Sequence, residues 1–248
     1  MKNSLARFRL NRELARWEAL GETPRLWWRD DDAGDAGAAL ERLLRAAAGL
    51  PLSLAVVPHG ATAALARRLT GEARITVSQH GVDHRNHREP GSPAGEYPPG
   101  LAITRMAEHI RQGEQYLRRC GIFPRFYTPA WNRIDGMLAE ALPLAGFHDL
   151  SGWNEEESNC CAGLNRLDVH IGLLRWRGGA RFRGERRILD DLRRQLELRR
   201  TEREFERPIG LLTHHLDHDE AAWNFLDWFL YFARSHFEIG GYYDFLEA

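Results

Sequence analysis

Short apolar runs alternate along the chain with longer stretches whose apolar residues recur at helical spacing, the pattern of β/α units laid around a parallel sheet. The apolar runs predict strands at 26–28, 52–57, 75–78, 125–127, 147–150, 167–174 and 209–212. Helical spacing predicts an opening amphipathic helix and further helices at 38–48, 61–69, 103–119, 134–145, 188–200 and from 220 to about 236. In the last of these, Ala222, Phe225, Leu226, Phe229 and Ala233 form a stripe that packs as core. Seven strands, one short of a closed eight-stranded barrel, predict an α/β fold: a distorted seven-stranded parallel (β/α) barrel, with residues 1–248 as a single domain.

Composition narrows what such a barrel does. With 43% hydrophobic residues the 248-residue chain buries one sizeable core. The 34 basic residues balance the 35 acidic ones, so no global field selects nucleic acid or an anionic membrane, and a small-molecule or carbohydrate partner is expected. No apolar run is long enough to span a bilayer and the charged start does not read as a signal peptide, which predicts a cytoplasmic protein. Lysine occurs once, at Lys2, and GxGxxG and GxSxG are absent; Schiff-base, dinucleotide and serine-hydrolase chemistries lose their usual residues. Cys160 and Cys161 are adjacent and Cys120 stands alone, so no disulfide framework or CxxC motif can be drawn. The Arg-rich stretch 175–207 carries interleaved acids such as Asp190 and Arg194 at pairing distance along a helix, and predicts a solvated helical face.

Histidine and aspartate remain, and they cluster at strand ends, where parallel barrels place their active face. Arg29, Asp30, Asp31 and Asp32 follow the first strand; three successive carboxylates repel one another and call for a cation or hydrogen-bond donors. His80 and His84 follow the third strand, four residues apart, and converge if one helical turn lies between them. One carboxylate with two imidazoles makes three protein ligands and leaves a position for water, as in catalytic zinc sites. Phe126 to Asn132 offers a Pro turn with backbone N–H groups and an aromatic wall, suited to oxyanion stabilisation and stacking. His214 and His215 close the last strand. The loop 84–101, rich in Pro and Gly, either covers the site or is a surface excursion.

The order of acidic pair, HxxxH, Pro-aromatic turn and late Leu-x-His resembles the polysaccharide deacetylase superfamily over most of the chain, and QHGVDHRNH, FYTPAWN and LLTHH resemble a short bacterial branch of it. The resemblance implies Asp31 as general base, Asp32, His80 and His84 as metal ligands, His214 as general acid and the Trp131 N–H as oxyanion donor. A register one residue earlier, on Asp30 and Asp31, and His215 in place of His214 stay open. Trp131, Asn132, His215 and His87 are the expected substrate contacts. The family's base-orienting arginine is matched by Thr128, which leaves Arg29 or another group to orient Asp31. Asp149 and Trp153 only approximate the carboxylate-tryptophan motif that holds the family's acid histidine. The implied reaction is metal-dependent deacylation of an N- or O-acylated carbohydrate, with zinc first among the divalent ions. Hydrolysis of a small amide, ureide or imide, and a non-catalytic sugar-binding relic of the fold, are the competing readings.

Overall fold

The structure, a computed structural model, describes residues 2–134, 136–154 and 163–246. In chain order these form α1 (Lys2–Glu18), β1 (Arg25–Ala33), α2 (Ala38–Ala47), β2 (Leu52–Val56), α3 (Ala63–Leu69) and β3 (Ile75–His80). Next come α4 (Ile103–Arg119), β4 (Phe126–Thr128), α5 (Gly136–Ala145), β5 (Asp149–Leu150), β6 (Asn165–Arg166), β7 (Ile171–Gly172), β8 (Leu174–Arg175) and β9 (Arg181–Phe182). The chain ends with α6 (Glu185–Glu202), β10 (Ile209–Thr213), α7 (Glu220–Ala233) and β11 (Glu238–Ile239). Along the main sheet the strand order is β6-β5-β4-β3-β2-β1-β10-β7, with β11 on β1 and a separate β8–β9 pair. The first long strand thus has the last one beside it, the order of a β/α barrel, and the expected α/β class holds. Cys160 and Cys161 lie outside the described residues. Among the described residues no helix is long and apolar enough to cross a membrane.

Contacts group the chain into two compact units, one of residues 1–30, 39–52 and 169–248 and one of residues 31–38 and 53–168. In the first, β1 pairs with β10 in parallel register, Leu26 opposite Ile209 and Asp30 opposite Thr213. Its core holds Trp17, Trp27 and Trp28, each almost wholly buried. The indole of Trp17 donates to the Leu196 carbonyl at 3.3 Å, and buried Glu13 meets Arg200 at 2.5 Å, which ties α1 to α6. On α6, Ile188, Leu189, Leu192 and Leu196 form the inward stripe, at the spacing that sets a helix on its support.

In the second unit β3 and β4 pair in parallel, His80 opposite Thr128, and β4 continues to β5 and β6. Its core gathers Met106 and Ile110 of α4, Tyr127, and Leu138 and Leu142 of α5 around Leu150. Gly113 sits where α4 crosses β3; a Cβ there would lie 2.6 Å from the Gln79 amide, which donates to the Ile110 carbonyl at 3.0 Å. The two elements that carry the histidines and the Pro turn are fixed by this core.

Three expectations are corrected. First, β1 does not stop at Trp28: it runs to Ala33, so the acidic residues lie within the strand, and Arg29, Asp30 and Asp31 are fully buried. Second, the run 167–174 is not one strand but divides into β7 and β8. Third, the beginning of the Arg-rich stretch is a β8–β9 hairpin, with Leu174 opposite Phe182 and positive φ at Gly178 and Gly179 in its turn. The rest of that stretch is helical and charge-paired, although Arg194 takes Asp191, three residues away, rather than Asp190.

Candidate metal centre

Asp32, His80 and His84 each bring one ligand atom into a group whose members all lie within 4.8 Å of one another, the one such group found among the described residues. The Asp32 Oδ1 atom stands 3.1 Å from His80 Nε2 and 3.5 Å from His84 Nε2. Ligands about 2.1 Å from a tetrahedral ion are separated by roughly 3.4 Å, so these spacings suit a zinc-sized cation with little movement. The donor set fits as well, two neutral imidazoles and a carboxylate. Burial, with His80 beside it, holds the His84 imidazole below its ordinary pKa and so in the neutral form that a cation requires.

Local backbone aims these groups. Asp32 has φ 69° near the end of β1, so the chain turns there and its carboxylate leaves the strand alternation. His80 is the last residue of β3, and its Nδ1 lies 3.2 Å from the Thr128 carbonyl. A carbonyl only accepts, so Nδ1 carries the proton and Nε2 keeps its lone pair for a metal. The expected helical turn between the histidines is not formed. Instead Gly81 and His84 adopt positive φ, 55° and 53°, and the N–H groups of Val82, Asp83 and His84 all donate to Glu96 Oε1 at 2.8, 2.8 and 2.9 Å. Glu96 comes from the 84–101 loop, which therefore supports the site.

Asp31 is fully buried, and its Oδ2 accepts from the Asn132 side-chain amide at 3.1 Å and lies 4.0 Å from His80 Nε2. Asn132, expected above as a substrate contact, thus donates to the carboxylate for which the resemblance implies the role of base. Thr128 is engaged elsewhere, its hydroxyl 2.9 Å from that of Ser78. Trp131 and Asn132 both have positive φ, 53° and 55°, a conformation that costs energy for side-chain-bearing residues and that turns the Asn132 amide onto Asp31. The Trp131 ring is partly exposed and packs against His84, centroids 4.5 Å apart. His87 is half-exposed, with Nε2 3.0 Å from Asp83 Oδ2, and is not one of the three clustered ligands.

The histidines after β10 belong to the other unit and have their own partners. His215 is buried, its Nδ1 2.5 Å from Asp30 Oδ1, while its backbone N–H and the Thr213 hydroxyl both donate to Asp30 Oδ2, at 3.0 and 2.6 Å. The Trp28 indole donates to the same Thr213 hydroxyl at 2.8 Å. Asp30 is thus engaged by the strand that pairs with β1, whereas Asp32 is the carboxylate that meets the metal-type histidines. His214 lies edge-on to Trp176, ring centroids 4.7 Å apart. Nothing in the sequence singled out Trp176, because it sits among arginines that suggest a solvated face. Asp149 accepts from the Asn165 side chain at 2.9 Å, and Trp153 is exposed.

No family model matches the sequence, and no curated protein does. Solved structures do match the fold. A T48 deacetylase solved with substrate aligns at TM-score 0.54 and 15% identity, covering 90% of each chain. Peptidoglycan deacetylase PdaC from Bacillus subtilis aligns at 0.52 and 13%, over 91% of this chain and 90% of that one. A 4-alpha-glucanotransferase from Thermococcus litoralis also aligns at 0.52 and 11%, over 91% of this chain but 40% of its own. The chain therefore has the fold that carbohydrate deacetylases share with at least one carbohydrate enzyme of other chemistry, and the site residues must carry the distinction.

Proposed function

We propose that the chain is a metal-dependent hydrolase that removes acetyl or similar acyl groups from an N- or O-acylated carbohydrate-like substrate. The observation that carries this reading is the meeting of Asp32, His80 and His84 next to a second, buried carboxylate, Asp31, that has its own orienting amide. Likeness of fold to deacetylases supports it. Asp32, His80 and His84 would hold a divalent cation, which would supply a water of lowered pKa and a Lewis acid for the acyl carbonyl; zinc suits two imidazoles and a carboxylate, as manganese, nickel or cobalt also would.

The chain's own groups do the rest. Asp31 accepts the proton of the attacking water, and Asn132 keeps its carboxylate in one orientation while it does so. The Trp131 backbone N–H donates to the oxygen on which negative charge develops, and the exposed indole offers a stacking face to a sugar ring. His214 delivers a proton to the departing amine or alkoxide, a role assigned from the resemblance of its Leu-x-His segment to that of the deacetylases; His215 is the competing candidate.

The test is elemental analysis of the purified protein followed by acetate release from a panel of acetylated sugars and simple amides. A bound divalent ion, turnover of an acetylated sugar and a loss of about 10²- to 10⁴-fold in Asp31→Asn are expected. Full activity of a folded, metal-loaded Asp31→Asn protein overturns the assignment of the base. Turnover of the amides alone points to the ureide and imide class, and sugar binding with neither metal nor turnover points to the non-catalytic relic.

A further inference from the structure

Three successive backbone amides that converge on one point form a nest, an arrangement usually met where a protein captures an anion. Here the nest of Val82, Asp83 and His84 is filled from within the chain. Glu96 Oε1 lies 2.8 to 2.9 Å from all three nitrogens, and Glu96 is only 5% exposed. Gly81 makes room for it: a Cβ at that position would fall 2.7 Å from Glu96 Oε2. The segment so clamped joins two of the three clustered ligands, His80 and His84, and it includes the positive-φ conformations of Gly81 and His84. Such conformations persist only where surrounding groups over-determine them. No element of regular secondary structure holds residues 81–84, since they lie between the end of β3 and the long loop. The carboxylate of Glu96 takes that part.

We propose that Glu96 is a positioning residue of the metal centre, which presets the His80–His84 turn so that both imidazoles face Asp32 before a cation arrives. The inference rests on reading Asp32, His80 and His84 as the metal ligands, and it adds that the loop 84–101 governs how tightly the metal is held. A carboxylate bound to three amides of a ligand-bearing turn affects affinity through the geometry of that turn, in the way outer partners of metal ligands do. It touches neither substrate nor metal.

The test measures dissociation constants for Zn2+ and Co2+ by calorimetry, and the Co2+ absorption spectrum, on the full chain well below its unfolding temperature. Glu96→Ala is expected to weaken both ions by about 10- to 100-fold and to alter the Co2+ spectrum. Glu96→Gln keeps an oxygen for the three amides and is expected to recover most of that affinity. Arg88→Ala removes a different contact of the same loop, a 3.0 Å bond from its Nε to the Tyr97 carbonyl, and is expected to leave metal affinity unchanged. If Glu96→Ala does not fold, Glu96→Asp, whose carboxylate is one methylene short of the three amides, is expected to weaken both ions in the same direction. Wild-type affinity in folded Glu96→Ala, or an equal loss in Arg88→Ala, overturns the proposal. If His84→Ala binds metal as tightly as the wild type, the metal-centre reading itself fails, which is a distinct outcome from an unaffected Glu96→Ala in a protein whose metal depends on His84.

Discussion

Asn132 reaches across 101 positions of sequence to donate its side-chain amide to Asp31, Nδ2 to Oδ2 at 3.1 Å. Asn132 is a neutral donor, where the resemblance to the deacetylases leads one to expect a guanidinium. Removing it in Asn132→Ala withdraws one hydrogen bond from a buried carboxylate, so turnover at saturating metal and substrate is expected to fall about 10- to 100-fold, the worth of one hydrogen bond to a charged group. Asn132→Asp places a like charge beside Asp31 and is expected to cost more. Steady-state rates on the best substrate check both, and wild-type kcat in Asn132→Ala refutes the orienting role.

Metal binding is expected to register as stability. At a free metal concentration of about 100 times Kd the folded state gains roughly 2.7 kcal/mol, an increase of about 5 to 10 °C in Tm for a chain of this length. Asp32→Asn and His80→Ala are each expected to abolish the shift. Thermal scans with zinc and with chelator check this.

Asp30 is expected to matter for folding instead. It accepts from Thr213, from the His215 backbone and from the His215 ring, all out of contact with water. Asp30→Asn replaces one acceptor oxygen by a donor and is expected to cost about 3 kcal/mol in denaturant unfolding while leaving metal affinity nearly intact. The reverse pattern, in which Asp30→Asn loses metal and Asp32→Asn does not, would move the acidic pair one residue earlier.

Two histidines outside the metal centre predict how stability responds to acid. Burial holds His170 down to about 3, with Arg199 beside it adding to the effect, and holds His218 down to about 4. Both stay neutral in the folded chain, while their unfolded counterparts take up protons near pH 6.5. The unfolded state therefore binds more protons below that pH, so stability is full above about 6.5 and falls as pH drops toward 4, by up to about 1.4 kcal/mol per pH unit for each histidine. Denaturant midpoints for the wild type and His218→Gln between pH 7.5 and 5 check the sign. The variant is expected to lose less stability over that range.

Periodicity disclosed the helices well because their buried faces are made by residues three and four apart. The bounds of α4 match the spacing of Met106, Ile110, Gly113 and Leu117. It disclosed β1 poorly. A strand with Arg29 to Asp32 among its last five residues does not look apolar, and pairing such as Arg29 with Leu212 and Asp30 with Thr213 makes those polar residues part of it. The hairpin of β8 and β9 was hidden for the opposite reason: its arginines share the composition of the helix that follows. Within the site, residue types and spacing pointed to the run Asp30 to Asp32 and to His80 and His84, and the family resemblance selected Asp31 and Asp32 from that run. The groups that aim them, Asn132 and Glu96, act through contacts distant in sequence that leave no local mark. Nothing in the sequence separates Glu96 from Glu89, the other acid of the same loop.

The paired left-handed residues at Trp131 and Asn132 restrict what this chain can become. Few side chains adopt that backbone without strain, glycine foremost and asparagine or aspartate next, while valine, isoleucine and threonine are the least suited, and Trp131 bears the cost at its own position. Drift at position 132 is thereby funnelled toward a carboxylate or toward no side chain at all. Either step withdraws the amide from Asp31, so this short turn leaves the protein few silent routes of change beside that carboxylate.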